Sequence, residues 1–164
     1  MKPLNQYIKE KLIINKDYRN NMIVVKSFDE LRKIIEDRYD KLGPGTKLNP
    51  IDFNDIDVSN LYSFCNDNDI GIFENINFKY IDISDWDVSN ATDMEVMFYG
   101  CGELESIGDL SNWDVSNVKY MSYMFHDCEN FNQDLSSWNL SKVRFKSGIF
   151  TDCPIKDEYK PKFK

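Results

Sequence analysis

Downstream of residue 48, apolar residues fall at fixed distances from four anchors, Ile56, Trp86, Trp113 and Trp138. Three positions before each anchor stand Phe53, Ile83, Leu110 and Leu135; two positions after it stand Val58, Val88, Val115 and Leu140. An apolar, polar, apolar order has period two and predicts a short strand with one face buried. A serine follows each strand (Ser59, Ser89, Ser116, Ser141), and apolar steps of three and four come next. The second copy has Ala91, Met94, Phe98 and Cys101; the third has Val118, Met121, Phe125 and Cys128. Those steps predict a short helix with the serine as its N-cap. The anchors lie 30, 27 and 25 residues apart, the period range of solenoid repeats, and units that cannot bury their apolar side alone must stack. The pattern therefore predicts an α/β solenoid of about four strand–helix repeats over residues 49–153.

Upstream, Met22-Ile23-Val24-Val25 is a strand-type run. Ser27 with Glu30 three residues on forms a capping box, opening a helix that buries Leu31, Ile34, Ile35, Tyr39 and Leu42 and ends at Gly43-Pro44-Gly45. Residues 22–48 are thus expected to form a βαβ crossover that caps the first repeat. Within residues 1–21, Leu4, Ile8 and Leu12 form one helical stripe bordered by Tyr7, followed by a polar linker; this stripe is a candidate docking peptide. The first repeat carries a polar insertion at Asn66-Asp67-Asn68-Asp69, expected as a surface loop. Gly71 and Glu74 do not fit the spacing of a calcium loop. Pro154 stops the last repeat, and residues 154–164 form a polar tail.

Charge narrows the choice of partner. Residues 1–48 carry 11 basic and 7 acidic side chains, residues 49–153 carry 5 and 19, and residues 154–164 carry 4 and 2. An acidic body lacks the clustered Lys and Arg that phosphate contacts need, so nucleic acid is not expected. No apolar run approaches the roughly 20 residues that span a bilayer, and the opening lacks a signal peptide's uninterrupted apolar stretch. The expectation is no membrane and a cytoplasmic place, in a bacterium or a phage-infected cell, with the virion as the alternative for a phage protein.

Cys101, Cys128 and Cys153 share one repeat position, which Ile76 fills in the first copy. A slot that accepts Ile is an apolar slot, so these thiols read as small hydrophobes rather than metal ligands. Cys65 lies outside the register and is expected to be the most exposed. His126, the single histidine, is expected in solvent, and no Ser or Cys partner in register completes a triad. No catalytic residue, metal or cofactor is expected, and the protein is not expected to be an enzyme. The three tryptophans are expected to stack in the core.

The remaining candidate is polar. One position after the anchors stand Asp57, Asp87, Asp114 and Asn139; one position before stand Asp55, Asp85, Asn112 and Ser137. Parallel strands about 4.8 Å apart would stack these into two ladders, in which like charges raise one another's pKa. Two readings stand. Each Asp accepts hydrogen bonds from its own Asp-Val-Ser-Asn turn, or Asp55, Asp57, Asp85, Asp87, Asn112, Asp114 and Asn139 form an acidic surface for a basic protein segment. The second docking candidate is the stripe of Leu4, Tyr7, Ile8 and Leu12.

The word Trp113-Asp114-Val115-Ser116-Asn117 and the run from Val118 to Leu135 resemble the BspA-like leucine-rich repeat of bacterial surface proteins and lipoproteins, over about residues 50–153. Leu4 to Glu10 is similar to a short leader on small intracellular or phage-encoded members from gut Bacteroidales. The resemblance implies a leucine-rich-repeat-like solenoid that binds other macromolecules and has no known catalytic set. The expectation is a monomeric protein–protein interaction module, working through its sheet face or its N-terminal helix. The alternatives are a phage virion-associated or structural protein whose N-terminal helix directs assembly, and a hydrolase using the Asp ladder.

Overall fold

The computed structural model describes residues 22–163; the candidate stripe Leu4, Tyr7, Ile8 and Leu12 lies outside the described residues. Strand β1 (Ile23–Val24) is followed by helix α1 (Phe28–Leu42) and by strands β2 (Ile51–Asp52), β3 (Ile56–Asp57) and β4 (Ile81–Asp82). A 3-10 turn covers Asp157–Tyr159. Helix α1 starts where its cap directs it. The Ser27 hydroxyl accepts from the Glu30 N–H at 3.2 Å, and the Glu30 carboxylate accepts from the Lys26 N–H at 2.7 Å. Leu31 and Ile35 face the core, whereas Leu42 is 63% exposed. Gly43, at φ 73°, ends the helix by donating to the Tyr39 carbonyl at 2.8 Å.

β1 runs parallel to β3, with Ile23 opposite Ile56 and α1 in the connection between them. β2 runs parallel to β4, with Ile51 opposite Ile81. The copies of the repeat lie side by side, linked by parallel bridges from Ser63 to Asp93, Tyr120 and Phe145 in turn.

The chain does not form the expected leucine-rich-repeat-like solenoid of about four strand–helix repeats. Among the described residues α1 is the one α-helix, and it precedes the repeats; the strands are two residues long and form two separate two-stranded sheets. The backbone after Ser59, Ser89, Ser116 and Ser141 is turn, not helix. The reason is a recurring left-handed residue. Ten positions past the anchor, Val96, Tyr123 and Gly148 have φ of 50°, 57° and 61°. Fourteen positions past it, Gly100, Asp127 and Asp152 have φ of 69°, 57° and 52°. In the first copy, displaced by its insertion, Asn75 has φ 56°. A left-handed residue at every fourth position stops a right-handed helix. The chain turns every three or four residues instead, which generates the same apolar spacing that a helix would.

Those turns send their hydrogen bonds sideways. Met94, Val96, Phe98 and Gly100 donate to the carbonyls of Tyr120, Ser122, Met124 and His126 at 2.9–3.0 Å. Met121, Tyr123, Phe125 and Asp127 repeat the pattern into Phe145, Ser147, Ile149 and Thr151 at 2.8–3.0 Å. In an α-helix these donors would reach the fourth residue back.

The anchors and the positions three before and two after them are all buried. Phe73, Phe98, Phe125 and Phe150 stack as a column, with centroids 5.1, 5.2 and 5.8 Å apart. The tryptophans do not form the single stack expected. Trp113 lies parallel to Trp138 at 6.1 Å, whereas Trp86 stacks on Phe64 and Phe73 at 5.9 and 5.8 Å.

Candidate functional site

The acidic positions separate into three kinds once their partners are placed. The first kind holds turns. Asp57, Asp87 and Asp114 accept the backbone N–H of Ser59, Ser89 and Ser116 at 2.9–3.0 Å, and Asn139 accepts that of Ser141 at 3.2 Å. Each is an Asx turn, in which a short side chain replaces a backbone acceptor. The serines are therefore turn donors rather than helix caps.

A second column of such turns escaped the sequence reading. Asp52, Asp82, Asp109 and Asp134 accept from the N–H of Asn54, Ser84, Ser111 and Ser136 at 2.8–3.0 Å. The signal is in the sequence: Asp-x-Ser or Asp-x-Asn occurs twice in each of the first three copies, and the fourth has Asp134-Leu135-Ser136 followed by Asn139-Leu140-Ser141. Hydrogen bonds from the hydroxyl and N–H of Ser116 hold the Asp114 carboxyl below its ordinary value, and Ser111 and Ser136 do the same for Asp109 and Asp134. At Asp82 burial pushes upward, and the combined hydrogen bonds from Ser84 and Asn54 outweigh it. At Asp114 the mutual repulsion expected of a ladder loses to the turn.

The second kind is neutralised. Asp55 makes a bidentate pair with Arg38 on α1, both bonds at 2.7 Å. Its charge is spent inside the protein, so it drops out of the candidate surface.

The third kind is open. Asp57, Asp85 and Asp87 line one depression of about 410 Å³ together with Met22, Ile56 and Ser59. Among the described residues none of the three makes an ion pair. Asp85 is exposed; its N–H donates to the Asn54 side chain at 2.8 Å, which fixes its backbone. Asn112, Asp114 and Asn139 do not line this depression. The depression therefore gathers three of the seven candidates. Three carboxylates converge between the first and second copies, where they offer acceptors to a Lys or Arg side chain.

Two further groups differ from expectation. Cys65 is buried, and Cys153 is the most accessible of the four free thiols, because the polar insertion folds back over Cys65 through the Cys65–Gly71 bridge. Burial pushes the Cys65 and Cys101 thiols up to about 12 and raises Cys128 and Cys153 as well. Cys101 and Cys128 instead point their sulfurs at the carbonyls of Phe73 and Phe98, at 3.1 Å. His126 is not free in solvent. Its ring stacks on Tyr99 at 5.0 Å and leans on Tyr123 at 5.6 Å. Its Nδ1 is buried 3.1 Å from Asp127 Oδ2, without the alignment of a hydrogen bond. With Asp152, these side chains bring three ligand-type atoms within 4.8 Å of one another, the one such group among the described residues. Asp152 is exposed, and nothing beyond proximity directs the group at an ion.

No helix among the described residues is long and apolar enough to cross a membrane. The sequence pattern of the family described as "Mycoplasma protein of unknown function, DUF285" matches residues 67–158. No curated protein and no solved structure matches the chain.

Proposed function

This chain belongs to the DUF285 family, and from that premise we propose that it is a non-catalytic protein-interaction module that holds a basic segment of a partner protein. The family description assigns no activity, so the reading rests on the molecule. The observation that carries it is the convergence of Asp57, Asp85 and Asp87 around one open depression with no ion pair among the described residues. Neighbouring Asp55 shows the contrast, since its carboxylate is taken by Arg38. An unpaired acidic pocket attracts cations and orients them, and its influence falls with salt. The repeat wording further supports a relation to the BspA-like repeat proteins, whose members bind other macromolecules.

Asp85 separates binding from turn-building, because its carboxylate accepts no hydrogen bond among the described residues whereas Asp87 accepts two from Ser89. A blocked eight-residue peptide of alternating Lys and Thr serves as the probe. Asp85→Lys should weaken its binding about tenfold and leave stability within about 0.5 kcal/mol, as is usual for an exposed site. Unchanged affinity in Asp85→Lys would overturn the reading.

A further inference from the structure

The two ends of the stacked copies expose opposite backbone groups. Inside the repeats, the N–H groups 8, 10, 12 and 14 positions past an anchor point into the following copy, and the carbonyls 7, 9, 11 and 13 positions past it point into the preceding one. The first copy therefore leaves carbonyls facing outward and the last copy leaves amides.

The carbonyl end is capped around the first-copy turn. Arg32 Nη1, on α1, donates to the carbonyls of Gly71, Ile72 and Glu74 at 3.0, 3.0 and 3.3 Å. At the amide end the corresponding donors are Lys146, Gly148, Phe150 and Asp152, and among the described residues their N–H groups meet no acceptor. Lys146 and Asp152 are exposed, Gly148 and Phe150 half-buried. Beside this row stand the exposed cations Lys142 and Arg144, and Lys146 itself, whose ammonium sits 4.5 Å from the Phe163 ring centroid. Phe145, 52% exposed, stacks on Tyr120 at 4.8 Å and forms an apolar shelf along the row.

We infer that this amide edge receives an extended acidic segment of a partner protein, whose carbonyls take the four N–H groups while its carboxylates meet Lys142, Arg144 and Lys146. An open edge is a template for added chain, and its polarity selects what can be added. Two copies cannot join amide edge to amide edge, since donors would face donors. Nor does the first copy of another molecule offer a matching row, because Arg32 already holds its Ile72 and Glu74 carbonyls. Residues 1–21 carry five basic and two acidic side chains, the wrong charge for this row.

The test uses the full chain labelled with 15N and two blocked eight-residue peptides, one alternating Glu and Thr, the other Lys and Thr. The Glu peptide should shift the amides of Lys146, Gly148, Phe150 and Asp152 and slow their exchange, and the Lys peptide should not. The double variant Arg144→Glu, Lys146→Glu changes only exposed side chains and should bind the Glu peptide about tenfold or more weakly. If that variant misfolds, Arg144→Gln replaces it, with a smaller loss expected. Binding of the Glu peptide that leaves the four amides unmoved would overturn the inference. So would equal shifts from the Lys peptide, or concentration-dependent shifts without peptide, which would mean that copies of this chain cover the edge.

Discussion

At the start of the repeats, side chains and strands from outside them take up the bonding groups that the first copy leaves over. Ile23 and Val25 donate to the carbonyls of Asp55 and Asp57, and Arg32 reaches three more carbonyls around the first-copy turn. At the last copy the complement is partial among the described residues: the Tyr159 carbonyl takes the Leu135 N–H at 2.9 Å, but the N–H groups of Lys146, Gly148, Phe150 and Asp152 meet no acceptor. Phe145, bridged to Tyr120 on one side only, is 52% exposed, against 39% for Tyr120, which is bridged on both sides. The sequence word is nearly the same in each place; the neighbours differ. A repeat of this kind takes its stability from both sides, and a copy with one neighbour keeps unmet bonding capacity, which is what a binding edge needs.

The Phe column tests this contrast most strongly. Phe98 is fully buried between Phe73 and Phe125, so Phe98→Ala should cost about 3–5 kcal/mol. Phe150 is half-buried with Phe125 on one side, and Phe150→Ala should cost less than about 2 kcal/mol. Denaturant unfolding of both variants measures the difference, and equal losses would remove the distinction between inner and end copies.

Arg32→Ala should have a smaller effect, about 1–3 kcal/mol, because three carbonyls lose their donor and water replaces it in part. Arg32→Lys should recover a portion, since an ammonium can reach fewer of the three from one position. A loss below about 0.3 kcal/mol in Arg32→Ala would show that the carbonyl end needs no cap.

The apolar positions were legible because burial depends on spacing alone: Phe53, Ile56, Val58 and their counterparts are all inside. Helix α1 was legible because its cap is local, with Ser27 and Glu30 three residues apart. The error lay in the run from Val118 to Cys128, where steps of three and four fit a helix and a chain of turns equally well. What decides between them is the left-handed backbone at Tyr123 and Asp127, and neither residue type announces it. In the second copy Gly100 was the one local hint, and Val96, β-branched yet at φ 50°, argued against it. The acidic strip was half legible. Its Asx turns follow from Asp-Val-Ser, but the loss of Asp55 to Arg38 spans 17 residues, and the reach of Arg32 to Glu74 spans 42. No periodicity records such pairs.

The central claim is that these copies are joined by sideways backbone bonds whose last row is open. Residue-resolved amide exchange of the native protein tests it most directly. Phe98, Gly100, Phe125 and Asp127, which donate into a following copy at 2.9–3.0 Å, should exchange slowly. Phe150 and Asp152, at the same repeat positions in the last copy, should exchange near the rate of an unprotected amide. Equal protection in all three copies would contradict the account, and so would protection following a helical four-residue ladder from Val118 to Cys128.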